Sequence, residues 1–340
     1  MNTPDKNNRF WRLARHPVAD DFAAAIEFDQ APMPAPAEGQ VLIRNEYLSL
    51  DAGTRMWMTA RTDSYQPPIP LGSPVPGLIL GQVIASRDPA FKAGDWVRAF
   101  GSWSDYSCVT PALSALQTVD ASVSDIRQHL GVLGMNAWTA YVGITDVAKT
   151  RPGETVLVSA AAGATGMLAA QVAKLMGCTV VGLAGSAAKC QFLKEQLGLD
   201  AALNYKSLDF GAQLASIAGG IDVYFDNVGG EILDLVLPNM AHYGRIAVCG
   251  LLATYAAGEA GVGPKRFDQV LMRRLTISGF FSPDFMQRGP EINRIMRNWF
   301  ENGRIKMHFD VTQGLENVLP AYRKLFTGGN IGKVLVALKR

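Results

Sequence analysis

The sequence predicts an α/β protein of two domains, a doubly wound parallel sheet joined to a smaller β-rich domain. Three observations point there. The chain has 340 residues, more than one ordinary core accommodates. Its middle alternates short apolar runs with helical runs of ten or more residues, as parallel strands with crossover helices do. Its first third is instead rich in glycine, proline and short alternating runs.

In the first third, VLIRNEYLSL (41–50) alternates apolar and polar residues like a half-buried strand, and GLILGQVIAS (77–86) and DWVRAFGSWSDYSCV (95–109) read as further strands broken by glycine. The loop TDSYQPPIPLGSPVPG (62–77) holds five prolines, which suits a cleft-shaping or irregular surface segment. In the middle, ETVLVSA is a strand, GATGMLAAQVAKLMG a turn and helix, and TVVGLAG a strand. SAAKCQFLKEQLG is a helix closed by Gly198, and IDVYFDNVGG a strand and turn before a helix from about Glu231. GRIAVCG (244–250) and RLTISGFF (274–281) are strands, and PEINRIMRNWFENG (290–303) is a helix. A further helix lies within GLENVLPAYRKLFTGG, and the chain closes on the strand GKVLVALK (332–339), which can return to the β-rich domain.

Composition excludes several function classes. Apolar residues make up 48% of the chain, so it is not disordered. Lys plus Arg number 32 against 30 Asp plus Glu, a net charge of +2, which gives no reason to expect nucleic acid or a membrane surface as partner. Cys108, Cys178, Cys190 and Cys249 are scattered, and none of the four histidines stands at ligand spacing, so neither a disulfide framework nor zinc is expected. Reduced thiols suit a cytoplasmic protein. The N-terminal residues carry Lys6, Arg9, Arg12 and Arg15 but lack the apolar core of a signal peptide. Thr155 to Ala173 is uncharged and near the length of a membrane helix, yet its glycines and small polar residues read as strand, turn and helix.

The chemistry-bearing motif is AAGATG, Ala161 to Gly166, with G-x-G-x-x-G spacing and alanine in the first glycine's place. It follows a strand and opens a helix. Gly163 lets backbone approach a pyrophosphate, Gly166 lets helix pack on strand, and the helix N-terminus presents unpaired N–H groups to phosphate. An acid about 20 residues further on would hold the ribose hydroxyls of NAD. From Thr155 through Lys194 there is no Asp or Glu. Gly185 and Ser186 follow the second strand, and Lys189 stands one turn into the next helix. A lysine there attracts a 2′-phosphate that a carboxylate would repel, so the stretch favours NADP. On spacing alone Lys189 also suits a solvated helix position; the missing acid carries more of the argument.

With these stretches in view, the chain resembles the zinc-independent branch of the medium-chain dehydrogenase/reductases, within it the prostaglandin reductase, leukotriene dehydrogenase and double-bond reductase group that includes curcumin reductases. The resemblance runs over essentially the whole chain, through NRFWRLARHP, EYLSLDAGTRM, YQPPIPLGSPVPGLILGQVIAS, LGMNAWTAYVGI, VSAAAGATG, LNYK, DVYFDNVGG, GRIAVCGLLATY and GGNIGKVLV. It implies an NADPH-dependent reductase of the activated C=C bond of α,β-unsaturated ketones and aldehydes, and a homodimer. It also implies a GroES-like catalytic domain over 1–130 and 304–340 and a Rossmann NADP-binding domain over 131–303. Carried over by motif, Ala164, Thr165, Gly166 and Met167 would hold the pyrophosphate, and Lys189 and Tyr205 with Ser186 the 2′-phosphate. Asn227, the run Cys249, Gly250 and Leu251 on to Tyr255, then Phe280, Phe281 and Ser282, and Asn330, would line the rest of the cofactor. The family usually has proline and tyrosine where this chain has Ala52 and Gly53, which leaves its substrate pocket differently shaped.

Hydride added to the β-carbon of an enone leaves negative charge on the carbonyl oxygen, so a donor is needed there and a proton must reach the α-carbon. Tyr255, which matches a tyrosine used by relatives, is the candidate catalytic side chain; the alternative is an aromatic that only packs on the cofactor. Trp57, Tyr65, Trp103, Phe281 and Phe285 are candidates for the substrate wall, each equally suited to core. Two other readings share the cleft: a quinone reductase of the neighbouring zinc-free branch, and a non-catalytic NADPH-binding protein. RLTISGFF is an edge strand suited to pairing across a two-fold axis.

Overall fold

A computed structural model describes residues 7–18, 21–64, 66–257 and 263–338. The chain divides into two compact units, Met1–Leu130 with Phe309–Arg340, and Gly131–His308.

The first unit opens with a hairpin to which the sequence reading assigned no element: β1 (Asn7–Leu13) pairs antiparallel with β2 (Ile26–Pro32). Arginines obscure the pattern in β1, but Trp11 and Leu13 are buried and Arg9 and Arg12 reach acids (Asp105, and Glu27 with Asp29) from the same strand. β3 (Val41–Ser49), the short helix α1 (Thr54–Trp57), β4 (Pro76–Ser86), β5 (Trp96–Ser102), β6 (Tyr106–Val109) and β7 (Gln117–Thr118) follow. Gly77 and Gly101 are needed on β4 and β5 because a side chain would strike the Trp103 indole and the Ser107 hydroxyl.

The second unit begins with α2 (Met135–Val142) and is built on β8 (Thr155–Val158), α3 (Ala164–Leu175), β9 (Thr179–Ala184), α4 (Ala187–Leu197), β10 (Ala201–Asn204), α5 (Phe210–Ala215), β11 (Ile221–Asp226), α6 (Gly230–Val236), β12 (Met240–Val248), α7 (Leu252–Ala257), α8 (Asp268–Met272), β13 (Thr276–Gly279) and α9 (Gly289–Glu301). Its six strands are all parallel, in the order β10-β9-β8-β11-β12-β13. This is the 3-2-1-4-5-6 order of a Rossmann sheet, with the switch point between β8 and β11. The central strands are sealed on both faces, which is why they read as continuous apolar runs. Gly198, at φ 67°, closes α4 in the left-handed conformation. β10 escaped the sequence reading because AALN neither alternates nor carries branched residues. β12 starts at Met240, ahead of the expected Gly244, and Phe280 and Phe281 lie beyond the end of β13.

The chain then returns to the first unit. β14 (Phe309–Gln313), α10 (Val318–Thr327) and β15 (Lys333–Ala337) complete a sheet ordered β14-β15-β3-β4-β5-β7, with β15 antiparallel to β3. No helix among the described residues is long and apolar enough to cross a membrane.

Candidate active site

The second unit gathers most of the candidate residues at the carboxyl ends of β8, β9, β11 and β12, beside the switch point where such sheets bind nucleotides. Gly163 caps α3 in extended backbone (ψ 172°). A Cβ added to Gly163 would meet only the Ala160 carbonyl at 3.2 Å, so its outer side is open to a ligand. At Gly166 a Cβ would fall 2.3 Å from that same carbonyl, which makes glycine obligatory where helix crosses strand. The first-turn N–H groups of Ala164, Thr165 and Gly166 lie before any intrahelical acceptor and point out of the helix end. Met167 is wholly buried, its N–H donating to the Gly163 carbonyl, so it anchors the turn rather than lining it. Asn136 on α2 donates to the Thr165 hydroxyl at 2.9 Å and fixes its rotamer. The turn tolerates alanine at position 161 because the left-handed residue is its neighbour Ala160, at φ 46°.

At the end of β9, Gly185 faces Tyr205, whose hydroxyl would lie 2.8 Å from a Cβ there. Ser186 caps α4, its hydroxyl accepting from the Lys189 N–H at 3.3 Å. Gly185, Ser186, Lys189 and Tyr205 are all half-buried, and Lys206 holds its ammonium 5.9 Å from the Tyr205 ring centroid. The first carboxylate after this stretch that meets β9 is Asp200. It accepts from the Val180 N–H and pairs with Lys174, at the opposite end of the strand.

The switch point itself is closed by a polar knot. Asn227 donates its N–H to the Ser159 hydroxyl (2.8 Å) and its side-chain amide to the Ser159 carbonyl (2.7 Å), bridging the ends of β8 and β11. Asp226, wholly buried, accepts on Oδ1 from the Tyr224 hydroxyl, the Ser159 hydroxyl and the Val228 and Gly229 N–H groups. Its Oδ2 is buried without a partner. Burial outweighs these donors and raises the Asp226 pKa above the usual carboxylate value. The N–H groups of Cys249 and Gly250 donate to the Asp226 carbonyl, and those of Leu252 and Ala253 to Asn227 and Val228. The Cys249 thiol is pushed up to about 12 by burial and the Asp226 charge. Sequence reasoning missed Asp226, Ser159 and Asn136; a carboxylate ending the apolar run VYF was the available signal for the first.

Tyr255 stands on α7: once β12 has ended, LATYAA has the small residues a short helix needs. It is half-buried, and burial is the main cause that raises its phenol pKa, so the hydroxyl keeps its proton through neutral and mildly alkaline pH. Phe280 sits edge-on to Phe225 with centroids 6.3 Å apart, Ser282 is buried against the Met135 sulfur, and Phe281 and Phe285 are half-buried.

The remaining candidates belong to the first unit. Trp57 is half-buried and T-shaped to Phe100 at 5.7 Å. Trp103 is corrected: it is wholly enclosed in the core, edge-on to Tyr322 at 5.0 Å, and has no surface to offer a substrate. Its run GSWSDYS sits where β5 folds back on β6, and a large apolar ring there goes inward. Asn330 is buried and donates its amide to the Gly332 carbonyl at 2.9 Å. Tyr65 lies outside the described residues.

A Rossmann sheet with a glycine-rich turn and a lysine following the second strand, with a β-rich unit in the same chain, defines a dinucleotide-dependent oxidoreductase of the medium-chain class. A family model described as the N-terminal domain of oxidoreductase matches residues 9–119, and one described as zinc-binding dehydrogenase matches residues 164–298. Among the described residues, no group of three or more His, Cys, Asp or Glu is placed to hold a metal. The NADPH-dependent curcumin reductase of Escherichia coli (strain K12) is 37% identical over 342 residues, covering 99% of this chain and 98% of its own. The NADP(+)-dependent 2-alkenal reductase of Nicotiana tabacum is 40% identical over 302 residues, 88% of each chain. The crystal structure of CurA in complex with NADPH from Vibrio vulnificus superimposes with a TM-score of 0.91 at 36% identity, covering 98% of this chain and 99% of that one. The chain belongs to the zinc-independent medium-chain dehydrogenase/reductase family, in its double-bond reductase group.

Proposed function

We propose that this protein is an NADPH-dependent reductase of the activated C=C bond of α,β-unsaturated ketones and aldehydes. The observation that supports the cofactor half is the end of β9: the Tyr205 hydroxyl stands beside Gly185, Ser186 caps α4 at the Lys189 N–H, and Asp200 is held at the far end of the strand. The substrate half comes from the relatives, whose names specify curcumin and 2-alkenal reduction with NADPH or NADP.

NADPH supplies the hydride. The open face of Gly163 and the first-turn N–H groups of Ala164 to Gly166 suit a pyrophosphate, and Lys189 with the hydroxyls of Ser186 and Tyr205 suits the 2′-phosphate. Asn227, held by Ser159, lines the switch point toward which the nicotinamide half runs. Tyr255 supplies the protonated hydroxyl that the developing enolate oxygen needs, directly or through the ribose hydroxyl, and its raised pKa keeps that donor intact. The halves 1–130 with 304–340 and 131–303 act as GroES-like catalytic and Rossmann cofactor domains. We also infer a homodimer formed along the outer edge of β13, where Thr276 and Ile277 are exposed. A monomer mass by light scattering would end that inference.

The deciding experiment is NADPH and NADH oxidation against matched enones, enals and quinones, with product identification. Saturated ketones and aldehydes from the enones and enals, formed faster with NADPH, are expected. Turnover confined to quinones, or formation of allylic alcohols, overturns the reading.

A further inference from the structure

We propose that the ion pair between buried Lys333 and the partly exposed Asp51 is a positioning device that holds the substrate-side segment 51–53 in register with the cofactor-side segment 330–333; the inference rests on the reductase reading above. Lys333 is 1% exposed, and its ammonium meets Asp51 Oδ1 at 2.5 Å. The other carboxylate oxygen, Oδ2, accepts from the Ser49 hydroxyl at 2.5 Å. The pairing of β15 with β3 sets this up: Leu335 lies opposite Ser49 and the Leu50 N–H donates to the Val334 carbonyl, so the same register carried two residues further puts Lys333 opposite Asp51.

Both ends of the pair lead into site segments. Asp51 is followed at once by Ala52 and Gly53, which lead into α1. Lys333 follows Gly332, whose carbonyl takes the amide of Asn330. The Tyr322 hydroxyl approaches the Ala52 carbonyl at 3.5 Å from α10. The carbonyls of Asp51, Ala52 and Gly53 accept from the N–H groups of Thr54, Arg55 and Met56. A misplaced Asp51 therefore unsettles the whole turn.

Stability alone is a poor reason for this pair. Burying the Lys333 ammonium carries a desolvation cost that a carboxylate left 35% exposed only partly offsets, so the ion pair is better understood as fixing geometry. Ala52 has no ring to fix its backbone, so the carboxylate one position earlier supplies a restraint at this turn.

The test uses the full-length protein with the apolar double variant Asp51→Leu/Lys333→Met, which removes both charges of the pair together, and Lys333→Met alone as the unbalanced control. Expected for the double variant are a melting temperature near wild type, unchanged Kd for NADPH, and kcat/KM for the preferred enone lower by ~10²-fold, the size of loss that misplacement by about an ångström produces. Backbone amide exchange over 51–56 reads the pair without any substrate and is expected to be at least ~10-fold faster in the double variant, as lost local restraint requires. A double variant that folds with wild-type exchange over 51–56 overturns the proposal. So does wild-type kcat and KM in a folded double variant. Failure of the wild-type protein to reduce any enone strikes the reductase reading instead and leaves the exchange measurement to decide the pair.

Discussion

The two ends of the cofactor platform are built on opposite principles. At the end of β9, the groups proposed to meet the 2′-phosphate are half-buried: a glycine, a capping serine, a lysine and a tyrosine. At the ends of β8, β11 and β12, the loops are held by a sealed knot in which one carboxylate oxygen gathers four donors. The first end, on the proposed reading, would choose between cofactors with little bearing on the fold. The second cannot be altered without loosening the loops that it ties together.

Removing the knot's centre gives the largest effect. Asp226→Ala leaves four buried donors without their acceptor, and the loss is ~3 kcal/mol or more of stability. Asp226→Asn keeps one oxygen for those donors, puts an amide where Oδ2 has no partner, and loses far less. pH separates the two forms. Because the folded pKa of Asp226 is raised above its unfolded value, its favourable contribution is complete below the unfolded pKa and fades as pH rises through the folded one. Melting temperatures of wild type and Asp226→Asn followed from pH ~4 to ~8 are expected to shift in favour of the variant. A shift in favour of wild type would mean that the carboxylate, not the acid, is the form the fold prefers.

Next in size is Tyr255→Phe, which removes a proton donor but no anchor. It is expected to lower kcat ~10²-fold with the NADPH Kd nearly unchanged, the usual range for a general acid. Wild-type kcat should hold steady with pH up to the ordinary phenol value of about 10, since burial raises Tyr255 above it. An unchanged kcat in the variant would reduce this hydroxyl to packing.

The same contrast explains what could be read from sequence. The β9 end is written in local signals: glycines at fixed spacing, an apolar run ending in Gly-Ser, and a 40-residue stretch from Thr155 through Lys194 without an acid. The phosphate turn is legible for the same reason, since Gly163 and Gly166 answer to steric demands within one strand-turn-helix. The knot is not local. Asp226 matters because Ser159, 67 residues earlier, arrives beside it on a neighbouring strand. Sequence order cannot show which buried polar groups meet. Trp103 fails for a related reason: an indole looks the same whether it lines a pocket or fills a core, and only the return of β5 onto β6 decides for core. The hairpin of β1 and β2 was hidden by arginines whose acid partners lie up to 96 residues away.

The smallest effect sharpens the comparison most, because it should leave the fold untouched. Lys189 is half-buried at the start of α4, and its backbone N–H, not its ammonium, serves the Ser186 cap. Lys189→Ala therefore keeps the cap and places a strong helix former in the helix, so stability should change by no more than ~0.5 kcal/mol. On the proposed reading the lost charge is the one that a 2′-phosphate would meet. A hydrogen bond to a charged group contributes ~1.5–3 kcal/mol, so the KM for NADPH should rise by roughly 10- to 100-fold while that for NADH stays put. Added salt should narrow the gap between variant and wild type, since the berth is open to solvent and screened there. Equal changes for both cofactors would remove Lys189 from phosphate recognition and shift attention to Lys206, whose ammonium already lies over the Tyr205 ring.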